Sequence, residues 1–168
     1  VWKMWGVSDN VLCAGNDSVL SYIYDILDEV VALFPGKYVH IGGYEFDHDN
    51  WKHCPLCQNR MKQEKLHSYD HLNDWFQVQI VEYLASKGKI AVGMNTNSLL
   101  SSSDAYVVMS RESQADAMQV LRIGFPVVVA TDEYCAFDSY QDDSMYQPMA
   151  GNRMLPISHV YSYDPFPV

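Results

Sequence analysis

Lys37-Tyr38-Val39-His40-Ile41, closed by Gly42-Gly43 and followed at once by Tyr44-Glu45, is the stretch from which the fold is read. It has the make-up of a short strand that stops at two glycines and gives way to a loop from Tyr44 to about Leu56. On its N-terminal side, Val19, Leu20, Ile23, Ile26, Leu27, Val30, Val31 and Phe34 recur at helical spacing. Asn16-Asp17-Ser18 offer N-caps for that helix, and Pro35-Gly36 stop it. On the C-terminal side a long helical stretch runs from roughly Gln58 to Ser86, with a break near Ser68. Its apolar face includes Leu72, Trp75, Phe76, Ile80, Tyr83 and Leu84, and Gly88 closes it. Three more short apolar runs follow: Lys89–Gly93, Ala105–Met109 and Pro126–Ala130. Ser113 to about Ile123 reads as the helix between the last two. Strands that are apolar throughout and separated by helices are buried parallel strands, so the class is α/β and the chain, residues 1–168, reads as one domain. The tail from Ala150 to Val168 shows no clear periodicity.

The chain has 168 residues, 48% of them hydrophobic and 13% aromatic, which is ordinary for a folded chain with a real core. It is short for a complete (β/α)₈ barrel, which takes about 250 residues. The formal net charge of −10 repels phosphate backbones and anionic lipid, so nucleic acid is a poor partner. No run of about 18 apolar residues is present, so no membrane insertion is expected. The chain opens on Val1-Trp2-Lys3-Met4-Trp5 without an initiator Met, and reads as a mature product or an excised segment.

In a parallel sheet the functional residues collect beyond the C-terminal ends of the strands. The first strand delivers Tyr44-Glu45, the second Met94-Asn95-Thr96-Asn97, the third Ser110-Arg111-Glu112, and the fourth Thr131-Asp132-Glu133-Tyr134 with Phe137-Asp138 close behind. Glu45 is the candidate general acid or base, because a carboxyl just past a buried strand can be desolvated and its pKa raised towards neutrality. His40, inside the strand, reads as a core histidine satisfied by a backbone group before it reads as a ligand contact. Trp51, Tyr134 and Asp138 are candidates to hold a ligand by stacking and hydrogen bonding, set against plain packing of the loops. Of the cysteines Cys13, Cys54, Cys57 and Cys135, two form a C-x-x-C. A zinc site would need two further ligands from Cys13, Cys135, His48 and His53. A disulfide from Cys13 to Cys54 or Cys57, or free buried thiols, are the other readings.

His40-Ile41-Gly42-Gly43-Tyr44-Glu45, followed by Trp51, resembles the signature H-[IL]-G-G-D-E of family 20 glycoside hydrolases, the β-N-acetylhexosaminidase family. Trp5-Gly6-Val7-Ser8-Asp9-Asn10, Leu12-Cys13-Ala14-Gly15-Asn16-Asp17, Phe34-Pro35 and Trp51-Lys52-His53-Cys54-Pro55 resemble further family segments. So do Phe137-Asp138 with Tyr140-Gln141, and Val160-Tyr161-Ser162-Tyr163-Asp164-Pro165, all in family order. The resemblance implies the C-terminal half of a TIM-type barrel and hydrolysis of terminal β-linked N-acetylglucosamine or N-acetylgalactosamine. In the implied mechanism the substrate's own acetamido oxygen attacks the anomeric carbon, an exception to the two-carboxylate scheme. Glu45 stands at the acid/base position. The family's neighbouring Asp, which orients the acetamido group, is replaced by Tyr44. A neutral phenol cannot supply that Asp's charge. Three other positions depart as well. Met94 stands where the family has the Trp of G-W-x-E, Arg111 at the Trp of M-S-W, and Ala136 at the Tyr of Y-[FL]-D. Asp138, which in the family helps hold sugar hydroxyls, is kept.

The resemblance begins after the family's third strand and ends before its eighth. Four strands cannot close an eight-stranded barrel, so either self-association into a homo-oligomer, two half-barrels hiding one another's edges, or a compact rearranged sheet is expected. The altered positions imply weakened turnover, or a non-catalytic sugar-binding or assembly descendant. The resemblance implies no cofactor and no catalytic metal, an amino-sugar glycoside or glycan as partner, and an extracytoplasmic location, secreted or periplasmic.

Overall fold

The computed structural model describes residues 11–43, 48–94, 97–100 and 104–165. Helix α1 spans Asp17–Leu33, and Asn16 caps it by accepting the Ser18 N–H on its side-chain oxygen at 3.0 Å. Only part of its apolar stripe is used. Leu20 and Leu27 are buried, while Ile26, Leu33 and Phe34 are exposed. Strand β1 spans Tyr38–Gly42. The expected loop after it contains a short helix, α2 (Asp49–His53). The expected long helix is two helices: α3 (Pro55–Gln63) and α4 (Tyr69–Ser86). The break falls where it was expected, since the Ser68 hydroxyl caps α4 by accepting the His71 N–H at 3.1 Å. α4 packs against α1, α3 and the next strand, β2 (Ile90–Gly93). It is therefore buried over more than one stripe: Gln77 and Val81 are buried together with Leu72, Phe76 and Leu84.

Strand β3 (Tyr106–Ser110), helix α5 (Gln114–Arg122, capped by Ser113) and strand β4 (Val127–Val129) complete the main sheet. Its order is β1-β2-β3-β4, and β1/β2 and β3/β4 pair in parallel. Parallel neighbours need crossovers, and the helices supply them. The expectation of strands buried throughout holds for β2 and β3, with Ala91, Val92, Tyr106, Val107 and Val108 in the core. It does not hold for the two outer strands: Tyr38 of β1 and Val128 of β4 are exposed.

The tail, read as aperiodic, carries short elements. These are α6 (Asp132–Cys135), β5 (Ser139–Tyr140), a 3₁₀ turn at Ser144–Tyr146, β6 (Gly151–Met154) and α7 (Ile157–Tyr161). β5 and β6 form a separate parallel pair. Elements this short carry too few residues for a period to show.

Tertiary contacts divide the chain into two units, Val1–Val107 and Val108–Val168. The core of the first gathers Ala14, Leu20, Trp51, Cys57, Leu72 and Phe76. In the second, the Tyr163 hydroxyl donates to the Val129 carbonyl at 2.9 Å and Ala117 and Val120 of α5 are buried. Leu72 has no exposed surface, whereas Leu33 is 73% exposed. Leu72→Ala is expected to cost about 2–5 kcal/mol in urea unfolding, with Leu33→Ala staying within about 0.5 kcal/mol of the parent.

Candidate active site

The end of β1 is shaped by its two glycines. Gly42 and Gly43 have φ of +74° and +94°, in the region that side-chain-bearing residues rarely adopt. A β-carbon on Gly43 would also lie 2.7 Å from the Gln77 side-chain nitrogen. The chain can therefore turn off the strand directly over the buried amide of α4. The register shifts at this point: His40 pairs with Val92, and Gly42 with Gly93. His40 was expected in the core, held by a backbone group. The second half of that reading holds, since its Nδ1 accepts the Gly42 N–H at 3.1 Å. The side chain itself is exposed, on the same face of β1 as exposed Tyr38. Tyr44 and Glu45 follow Gly43 in the chain and lie outside the described residues, as do Asn95, Thr96 and the segment from Trp5 to Asn10.

The end of β2 is held from beneath. A β-carbon on Gly93 would fall 2.0 Å from the Tyr106 hydroxyl, so only glycine fits over that phenol. Tyr106 is wholly buried. Burial, reinforced by the Asp74 carboxylate, pushes its pKa up to about 12. Met94 is half-buried, and its N–H donates to the Gly42 carbonyl at 3.1 Å. Farther along, Asn97 is buried and donates to the Asp74 carbonyl at 2.9 Å, while Asp74 accepts the Ser98 N–H at 3.1 Å. Gln77 and Tyr106 thus pack against Gly43 and Gly93, Asp74 holds Asn97 and Ser98, and sequence reading singled out none of the three. A polar residue at α4's Gln77 position, between apolar neighbours, was the one available signal.

Trp51, read either as a sugar contact or as packing of the loops, is only 4% exposed. Its indole N–H donates to the Leu12 carbonyl at 2.9 Å, and the ring packs the core. α2 turns the ring inward against Leu72 and Phe76's cluster, which the loop reading of this segment could not anticipate.

In the second unit, Arg111 forms a two-pronged pair with Asp132. Nε donates to Oδ1 at 2.8 Å and Nη2 to Oδ2 at 3.0 Å. The Arg153 guanidinium approaches the same carboxylate at 3.5 Å. Arg111 is thereby fixed in one orientation by a neighbouring strand end. Tyr134 is stacked between two rings, His159 at 4.6 Å and Tyr163 at 4.8 Å. Asp138 is exposed, with Ala136 half-buried beside exposed Phe137. Apart from the strand ends, Cys13, Cys54 and Cys57 are the one group among the described residues whose ligand atoms could together hold a metal ion.

The family model for the catalytic domain of glycosyl hydrolase family 20 matches residues 1–168. The chain belongs to this family. It is 35% identical over 165 residues to a beta-hexosaminidase of Porphyromonas gingivalis, covering 98% of this chain and 21% of that protein. A beta-hexosaminidase of Vibrio furnissii is 29% identical over 163 residues, covering 94% of this chain and 26% of the relative. Among solved structures, the family 20 exo beta-N-acetylglucosaminidase of Vibrio harveyi in complex with N-acetylglucosamine superposes with a TM-score of 0.85 at 30% identity. That match covers 94% of this chain and 25% of the other. The chain thus spans about a fifth to a quarter of the length of these relatives. The expected partial TIM-type barrel of a family 20 hydrolase is what the parallel sheet and its flanking helices form.

The buried phenol generates a pH prediction. Tyr106 holds its proton up to about 12 when folded, against an ordinary value of 10.0. Between those values the unfolded chain releases a proton that the folded chain keeps, so stability is unaffected below pH 10 and falls as pH rises from there. Urea midpoints measured across that range are expected to decline less steeply in Tyr106→Phe than in the parent.

Proposed function

We propose that this chain supplies the acid/base segment of a β-N-acetylhexosaminidase. Its substrates are terminal β-linked N-acetylglucosamine or N-acetylgalactosamine residues, cleaved by substrate-assisted hydrolysis at a rate weakened by its own side chains. The observation that carries the reading is the His40–Glu45 segment. β1 ends at Gly42, and Glu45 comes three positions later in the chain, inside a match to the family's catalytic domain that covers every residue. Glu45 is the general acid towards the leaving oxygen and then the base towards water. The acetamido oxygen of the substrate is the nucleophile, so no second carboxylate need attack. Tyr44 weakens the reaction. A negative charge beside the acetamido group would stabilise the positive charge that develops on the ring it forms, and a neutral phenol provides none. Asp138 is the proposed contact to sugar hydroxyls, supported by its exposed carboxylate.

The same proposal places the protein outside the cytoplasm, on family resemblance alone, and makes it a homo-oligomer. Exposed Tyr38 and Val128, on the two outer strands, support the second point, because a further copy would cover them. Light scattering on the purified chain is expected to give a mass above one chain. A monomeric mass at high concentration would remove that part of the reading.

Hydrolysis of a chromogenic β-N-acetylglucosaminide tests the catalytic part. Glu45→Gln is expected to abolish turnover, and Tyr44→Asp to raise it on the order of 10²-fold by restoring the charge. If neither the parent nor Tyr44→Asp exceeds background, the hydrolase reading fails for this chain. Sugar binding without turnover then takes its place.

A further inference from the structure

Three thiols converge at a place the hydrolase reading does not use. Cys13 precedes α1, Cys54 is the N-cap residue of α3, and Cys57 lies in that helix's first turn after Pro55. The Cys13 sulfur stands 3.4 Å from that of Cys54 and 3.6 Å from that of Cys57, and all three sulfurs lie within 4.8 Å of one another. All are free thiols. A disulfide joins its sulfurs at about 2.05 Å and would use two of the three. A zinc ion bound tetrahedrally at about 2.3 Å holds its thiolate sulfurs about 3.8 Å apart, close to the spacing present and with a use for all three.

The backbone is built around this convergence. Gly15 is pressed so tightly on the Cys54–Cys57 turn that a β-carbon there would lie 2.2 Å from the Leu56 carbonyl carbon and 2.4 Å from the Cys57 nitrogen. Ala14 and Cys57 have no exposed surface, while Cys13 and Cys54 remain partly open, which leaves an entry path. The Cys13 carbonyl accepts the Asn16 N–H at 3.1 Å, fixing the turn that carries the first thiol. Burial raises the Cys54 thiol, but the nearby amides of Cys57 and Leu56 and the neighbouring thiols outweigh it and hold the group below its ordinary value. Burial pushes Cys57 up, against the Gly15 amide.

We propose that Cys13, Cys54 and Cys57 form a site for one thiophilic divalent cation of the zinc class, with a fourth position taken by water or another exogenous ligand. Binding forms three metal–sulfur bonds and releases three thiol protons to solvent, with no change of oxidation state. The ion ties the start of α1 to the start of α3 and so locks the cluster of Trp51, Leu72 and Phe76 that lies around them. It takes no part in glycoside hydrolysis. The other ligands weighed from sequence serve elsewhere or stand apart: His48 pairs with Asp70 at 3.2 Å, and His53 is exposed.

The test is elemental analysis of the full chain, kept reduced with a phosphine, incubated with Zn²⁺ and freed of loose metal by gel filtration. One zinc per chain is expected, retained in Cys135→Ser and lost in Cys13→Ser and Cys57→Ser. Because Cys57 is buried and its variant can fail to fold, Cd²⁺ titration of the unaltered chain gives an independent reading. A sulfur-to-cadmium charge-transfer band should saturate at one equivalent with the intensity of three thiolates. Zinc held by Cys13→Ser at the parent's level, or no charge-transfer band, overturns the proposal. So does a Cys13 disulfide to Cys54 or Cys57 in chain isolated without reductant, which would make the cluster a cross-link. None of these outcomes depends on whether the chain hydrolyses a glycoside.

Discussion

Two parallel strands cannot be joined by a turn, and much of the first unit follows from that constraint. β1 and β2 pair in parallel, so the chain must travel from the C-terminal end of one to the N-terminal start of the other. It does so through α2, α3 and α4. That crossover brings Cys54 and Cys57 to Cys13, turns Trp51 inward, and lays Gln77 under the glycines where β1 ends. The catalytic candidate and the thiol cluster are in this sense products of one connection. The helices bury apolar area worth roughly 25 cal/mol per Å², and that burial holds the crossover in place.

At the strand ends the decisive residues are those with the least side chain. Gly93 leaves room for a phenol that is wholly buried, and Gly43 leaves room for an amide. Larger residues at either point would force the supporting groups away. Asp74, on the same helix as Gln77, holds Asn97 and Ser98.

The strand ends of the second unit carry a matched pair of charges. Arg111 follows β3, and Asp132 meets it with two hydrogen bonds. A charge inserted without such a partner would be costly when partly buried. The pair is therefore a coherent local arrangement.

The sequence by itself determined the α/β class, the placement of the four strands of the main sheet to within a residue or two, the Ser68 break, and the family. Each of these rests on local signals: apolar runs, caps, glycine stops and a contiguous motif. The same signals marked Cys13, Cys54 and Cys57 as possible partners. Only the tertiary structure decided which partners meet. It left His40 exposed on its face of β1, buried Trp51 through a short helix too brief to show a period, paired Arg111 with Asp132 across 21 positions, and gathered three sulfurs from two segments of chain. Local order is written in neighbouring residues, whereas these contacts depend on how distant segments pack, and a linear pattern carries no measure of that distance.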